Sequence, residues 1–169
     1  MPGVRLRDNY FLVPSIHKSV NLTLGTNVAG TLWTPASGKK FRLMGGNLQS
    51  WVSVALDGVE APGASLTVYD GAVSVPVVNL GVVAEVDLVA GSIIGTGVQD
   101  ATTFASGVTA FNTANTLYPQ EFAIPGGYLS ATADNALKVN LLGVDGAADT
   151  IGTGGKIRIV GMVWGHEEP

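Results

Sequence analysis

The chain has no cysteine and very little charge. The first absence excludes disulfides, thiolate metal sites and thiol nucleophiles together, so stability has to come from packing or from assembly. The second is a matter of degree: Asp, Glu, Lys and Arg make up 13% of the 169 residues, against about 25% in ordinary soluble domains. A surface with few ions loses little solvation when it meets other protein. The composition therefore points to a subunit of an assembly before it points to an enzyme.

Clustered positive charge is also missing. With a formal net charge of −4, the chain lacks the cations that neutralise phosphates, which argues against a nucleic-acid partner. Lys39, Lys40 and Arg42 are the nearest approach to a cluster and are expected to flank a strand. No window reaches the ~18 consecutive apolar residues of a membrane span. The opening residues, MPGVRLRDNYFLVP, carry charge where a signal peptide has its apolar stretch, so synthesis in a cytoplasm and no membrane partner are expected.

What replaces charge is small and apolar: 23 glycines, and 46% of residues in the hydrophobic set. At 17.3 kDa the chain is long enough for one domain with a real core. Period-2 patterning recurs along it. Val20, Leu22 and Leu24 alternate with Asn21 and Thr23, Leu66 and Val68 with Ser65, Thr67 and Tyr69, and Leu137, Val139 and Leu141 with Lys138 and Asn140. Each reads as a strand with one face on a core.

The longest candidate runs from Phe41 to Leu56, with Met44, Leu48, Val52, Val54 and Leu56 on one parity and a Gly45-Gly46 pair that suggests a bulge or close approach of another backbone. Asp57-Gly58, Asp70-Gly71 and Asp145-Gly146 supply hairpin turn chemistry, with positive φ expected at the glycines. Further strands are expected at 29–33, 73–78, 82–89, 118–123, 128–132 and 156–164, with Pro76 at an edge or bend. In the last of these, Ile157, Ile159 and Val163 share one parity and Val160, Met162 and Trp164 the other. Both faces of a central strand are therefore expected to be covered, one by the opposing sheet and the other by a loop such as 99–116 or a neighbouring subunit, with Gly161 letting that cover approach closely. Residues 99–116 break the pattern, and helix and ordered loop both fit them.

Many short strands with Gly-rich turns give the fold class: all-β, an antiparallel jelly-roll-like β-sandwich or barrel with an extended N-terminal arm. The arm is residues 1–18 and the single sandwich domain residues 19–169. The first segment has no clean period, so it is either a frayed end or an arm that orders across a neighbouring subunit. Arg5, Arg7, Tyr10 and Phe11 have the chemistry of interface anchors.

No residue pattern in the chain carries catalytic chemistry. Gly152-Thr153-Gly154-Gly155-Lys156 lacks the first glycine and the final Ser or Thr of a phosphate loop. No serine sits in a nucleophile-elbow pattern. His166-Glu167-Glu168 reads as a solvated polar tail, and Asp134, Asp145 and Asp149 lack the spacing of a calcium motif. No catalytic, cofactor or metal site is expected. Trp33, Trp51 and Trp164 remain as interface candidates. Trp51, on a polar parity with Asn47 and Gln49, suits a subunit contact, a stacked sugar ring or a second buried face alike.

The C-terminal third has a recognisable texture in Phe122-Ala123-Ile124-Pro125-Gly126-Gly127-Tyr128-Leu129-Ser130, in Asp134 through Leu141, and in Gly155-Lys156-Ile157-Arg158-Ile159-Val160-Gly161-Met162-Val163-Trp164-Gly165. It resembles the final strands of the capsid decoration, or cement, proteins of tailed bacteriophages and of their head-attached jelly-roll virion proteins. The resemblance covers residues 40–165 and is one of pattern. It implies a non-enzymatic cyclic homo-oligomer, a trimer first, seated on the capsid surface of a virion and bound to the major capsid protein across capsomer junctions. A tail or fibre-base component fits the same pattern. The alternative from another class is a carbohydrate-binding β-sandwich module with a glycan as partner.

Overall fold

A computed structural model of the chain describes residues 15–25, 29–55, 64–71, 75–83, 90, 92–94, 108–110, 120–142 and 154–169. They form ten strands: β1 (Ile16–Leu24), β2 (Gly30–Trp33), β3 (Lys40–Val54), β4 (Ala64–Asp70), β5 (Val75–Val83), β6 (Ser92–Ile94), β7 (Val108–Ala110), β8 (Gln120–Leu129), β9 (Leu137–Leu142) and β10 (Lys156–Glu168). No helix occurs among the described residues. Of the segment 99–116, only Val108–Ala110 is described, and it is a strand.

The strands make two antiparallel sheets. One has six strands in the order β1-β10-β3-β6-β7, with β8 also paired to β3. The other has the order β2-β9-β4-β5. Their inner faces share one core, in which Leu24, Phe41, Val52 and Ile157 of the large sheet meet Leu66, Val68, Val139 and Leu141 of the small one, all at most 1% exposed. Each such side chain contributes about 1.5–3 kcal/mol by leaving water. The molecule is a β-sandwich, and period-2 alternation decides which residues face inward.

β3 departs from that alternation in an instructive way. Phe41 and Leu43 are buried, then Gly46, Leu48, Ser50 and Val52, so the buried parity switches midway. The switch is a bulge at Met44: the β10 register jumps from Gly45 to Leu43 opposite Trp164 and Gly165, and the β8 register jumps at the same place. One extra residue turns every later side chain to the other face. Met44, expected inward with Leu48 and Val52, is therefore only half-buried, and Val54 at the strand's end is exposed.

β4 is buried on both faces. Thr67 and Tyr69 on one parity are buried along with Leu66, Val68 and Asp70 on the other, although the alternation had one face wet. Asp70 is the polar centre of this end of the sandwich. Its Oδ2 accepts from the Tyr128 hydroxyl at 3.0 Å and from the Ala131 backbone N–H at 2.8 Å, and its Oδ1 accepts from Asn135 Nδ2. Burial first, and then the bond to Asp70, push the Tyr128 phenol up to about 12. Gly71 does not take positive φ. It is needed for close approach, since a Cβ there would lie 2.8 Å from the Ala136 carbonyl oxygen that its own N–H donates to.

β5 joins the two strands expected at 73–78 and 82–89 into one, and Pro76 lies on it at the edge of the small sheet. Gly58 and Gly146 lie outside the described residues. So do residues 1–14, and with them the candidate anchors Arg5, Arg7, Tyr10 and Phe11. The expected domain boundary at residue 18 falls within β1, because Ile16 and Lys18 continue the inward parity of Val20, Leu22 and Leu24.

Candidate interaction surface

The outer face of the large sheet can be read directly from its register. Residues opposite each other in an antiparallel ladder point to the same side. On β10 the outward residues are Arg158, Val160, Met162 and Trp164. Opposite them on β1 stand Thr23, Asn21, Ser19 and His17, and on β3 stand Trp51, Gln49, Asn47 and Gly45.

Arg158 and Glu121, which flank the middle of this face, are committed within the sheet. Arg158 donates to Thr23 Oγ1 at 3.0 Å and to Asn21 Oδ1, and Glu121 on β8 accepts from Asn47 Nδ2 at 3.4 Å. Between them lie Val160, Met162, Trp164 and Trp51. Met162 is 38% exposed, and its sulfur lies 3.2 Å from His17 Nδ1. The expected cover over the inner face of β10 is there; over the outer face it was expected from a loop such as 99–116 or from a neighbouring subunit, and of that loop only Val108–Ala110 is described. Ile157, Ile159 and Val163 are fully buried, while Val160 and Trp164 are half-buried and Met162 is open.

Glycines hold this surface flat. A Cβ at Gly45 would come within 2.9 Å of the Trp164 indole and 2.6 Å of the Phe122 carbonyl oxygen, so the bare backbone lets the ring lie against the sheet. Gly161, at φ +143°, faces Asn47 with no room for a Cβ against that residue's carbonyl. It lets the neighbouring strand approach closely.

Trp33 is not on this surface. It is 1% exposed, lies 5.9 Å from the Phe41 ring and donates from Nε1 to Glu167 Oε1 at 3.2 Å. Of the three tryptophans, Trp51 and Trp164 share the outer face. Comparison with known protein families, curated proteins and solved structures finds no match.

The residues after Trp164 form a second feature that reading along the chain misses. His166, Glu167 and Glu168 are not a loose tail: they extend β10 opposite Arg42, Phe41 and Lys40. Arg42 grips Glu168 through Nε and Nη2 and donates from Nη1 to the Gly126 carbonyl at 3.1 Å. That hydrogen bond holds the Glu168 carboxyl below the usual carboxylate range and the Arg42 guanidinium above its ordinary value. His166 Nε2 lies 3.5 Å from the same carboxylate. The pairing spans 126 positions, so no local pattern announces it.

Proposed function

We propose that this protein is a non-enzymatic structural subunit of a bacteriophage virion, one that decorates a capsid and stabilises it by binding across capsomer junctions. One observation carries this reading: the middle of the outer face of the large sheet, built from Val160, Met162, Trp164, Trp51, Asn47 and Gln49, has no charged residue. A sheet face that only meets water is ordinarily studded with charge. An apolar centre with aromatic and amide groups and a polar rim of His17, Ser19, Asn21 and Thr23 is the anatomy of a contact surface.

The mechanism is mass action. A protein that binds only the assembled shell stabilises it by about 2.7 kcal/mol per site when free protein stands at 100 times Kd, and many equivalent sites multiply the effect. A cyclic homo-oligomer, a trimer first, suits binding at symmetry axes, with the major capsid protein as partner. A jelly-roll-like connectivity is part of the same reading. It is supported by a chain that passes between the sheets from β1 to β2, β2 to β3, β3 to β4, β5 to β6, β8 to β9 and β9 to β10.

Cosedimentation with expanded, empty heads of a tailed phage tests the proposal. Saturable binding at a fixed number of copies per capsomer, lost in a Met162→Lys variant, is the expected result. The presence of Trp51 and Trp164 with Asn47 and Gln49 on one face also favours the second reading, a sugar-stacking site. Glycan binding by a single chain that ignores phage heads would establish that reading and sink the first.

A further inference from the structure

The edges of the two sheets are not alike. β2 is four residues long and β7 three. β5 carries Pro76 and follows β4 through two register shifts. β8 carries Pro125 and two glycines at positive φ, Gly126 and Gly127. Short length, proline and bulges are the devices by which sheet edges avoid pairing with another chain.

β1 has none of them. It runs nine residues with neither Pro, Gly, Asp nor Glu, and it meets β10 in nine successive pairs without a shift. It stands at the end of its sheet, and among the described residues no strand pairs its other edge and no turn or loop backbone hydrogen bond reaches it. Half of its backbone N–H and C=O groups therefore point outward from a straight, regular edge.

We propose that β1 of one copy pairs antiparallel with β1 of a second copy across a two-fold axis at Val20, joining the two six-stranded sheets into one. The sequence IHKSVNLTL is self-complementary about that residue. On the core side Ile16 faces Leu24 and Lys18 faces Leu22; on the outer side His17 faces Thr23 and Ser19 faces Asn21. A two-fold register must match inward with inward residues, and the one centred on Val20 alone pairs all nine. Lys18 is the strand's only formal charge, and the two-fold lays its aliphatic stem beside Leu22 and keeps the two ammonium groups apart. The contact is isologous, so by itself it makes dimers, and with a three-fold contact elsewhere it makes a dihedral hexamer. It stands whatever the outer face binds.

The absence of cysteine makes the test clean. Ser19→Cys and Asn21→Cys, both at exposed positions, are prepared separately and mixed under mild oxidation. Directly opposite residues in a ladder lie about 4.5–5.5 Å apart at Cα, within disulfide range. The expected product is the mixed Ser19→Cys to Asn21→Cys species, at least tenfold in excess over either symmetric one. A Ser19→Lys/Asn21→Lys double variant, which sets cations opposite one another, is expected to raise the dissociation constant at least tenfold while circular dichroism is unchanged, and mixing it with Ser19→Glu/Asn21→Glu restores association. Sedimentation of the unmodified protein as a single chain at high micromolar concentration overturns the inference. An oligomer whose cysteines stay unlinked, or that the lysines leave intact, overturns the β1 pairing and leaves the assembly reading in place.

Discussion

The Tyr128 hydroxyl donates a 3.0 Å hydrogen bond to Asp70, a residue 58 positions away in the chain and 0% exposed. With Ala131 N–H and Asn135 Nδ2 also aimed at it, Asp70 ties the end of β4 to the turn between β8 and β9. Asp70→Ala leaves those donors without their acceptor inside the protein. Hydrogen bonds to a charged group contribute about 1.5–3 kcal/mol each and are not additive, so a loss of at least about 3 kcal/mol is expected in urea unfolding. A loss below about 1 kcal/mol would mean water replaces the carboxylate.

The same pair sets an alkaline limit. The Tyr128 phenol titrates at about 12 in the folded chain and near 10 when unfolded. Because the folded state holds this proton more tightly, its contribution is complete below about pH 10 and declines as pH rises from there through the folded value. Tyr128→Phe is expected to flatten the fall in thermal stability over that window. An unchanged slope in the variant would assign the alkaline loss to another group.

Much of the sandwich was legible because burial follows parity, and parity is written in the order of residues. β1 and the inner face of β10 could be read from alternation alone, whereas β9 is buried on both parities, with Asn140 and Leu142 covered as well as Leu137, Val139 and Leu141. Met44 shows where such reading stops: the Gly45-Gly46 pair marks a bulge, but which residue is extra depends on β10 and β8, more than 70 positions on. Asp70 looked like half of a hairpin turn, since a carboxylate's donors are invisible until the strands pair. For the candidate surface, Trp51 on its polar parity was readable. The openness of Met162 was not, because an apolar outer face and a covered inner face have the same letters.

Glycine positions give a third prediction. A Cβ at Gly165 would collide with the Arg42 carbonyl and one at Gly161 with the Asn47 carbonyl, both backbone atoms of the neighbouring strand. Gly165→Ala and Gly161→Ala must push β3 and β10 apart, at about 3 kcal/mol or more. Gly154 at φ +88° has nothing within 4 Å of a Cβ, so Gly154→Ala carries only the conformational penalty of about 1–2 kcal/mol. Thermal melts that rank Gly154 with the other two would contradict the close-approach account.

Acid should loosen the C-terminal extension of β10. The Glu168 carboxyl is held low chiefly by its hydrogen bond to Arg42, so its contribution is present above the unfolded carboxylate value and is lost as pH falls through the folded one. The pair is partly exposed, with side chains at 27% and 30%, so Glu168→Gln is expected to lose no more than about 1 kcal/mol at neutral pH. Hydrogen exchange at residues 165–168 would show the difference between variant and parent at pH 7 and its decline as pH falls below the ordinary carboxylate range.

Adjacent residues on β10 separate folding from assembly. Ile159 is 0% exposed and lies on the inner face opposite Leu22 and Ser50, whereas Val160 is half-buried on the outer face opposite Asn21 and Gln49. Ile159→Asp places a carboxylate in an apolar core with no cation to meet it, and a loss above about 4 kcal/mol, or no soluble protein, is expected. Val160→Asp adds the same group where water can reach it, so the isolated chain should fold with a change within about 1 kcal/mol. Its effect should appear only when the face is covered, as a binding defect on phage heads or in oligomer formation, because docking would bury the new charge unpaired. If Val160→Asp assembles and binds like the parent, the outer face of β10 is a wet surface and the contact lies elsewhere. If it fails to fold, that face is covered within the chain itself and cannot serve as the contact.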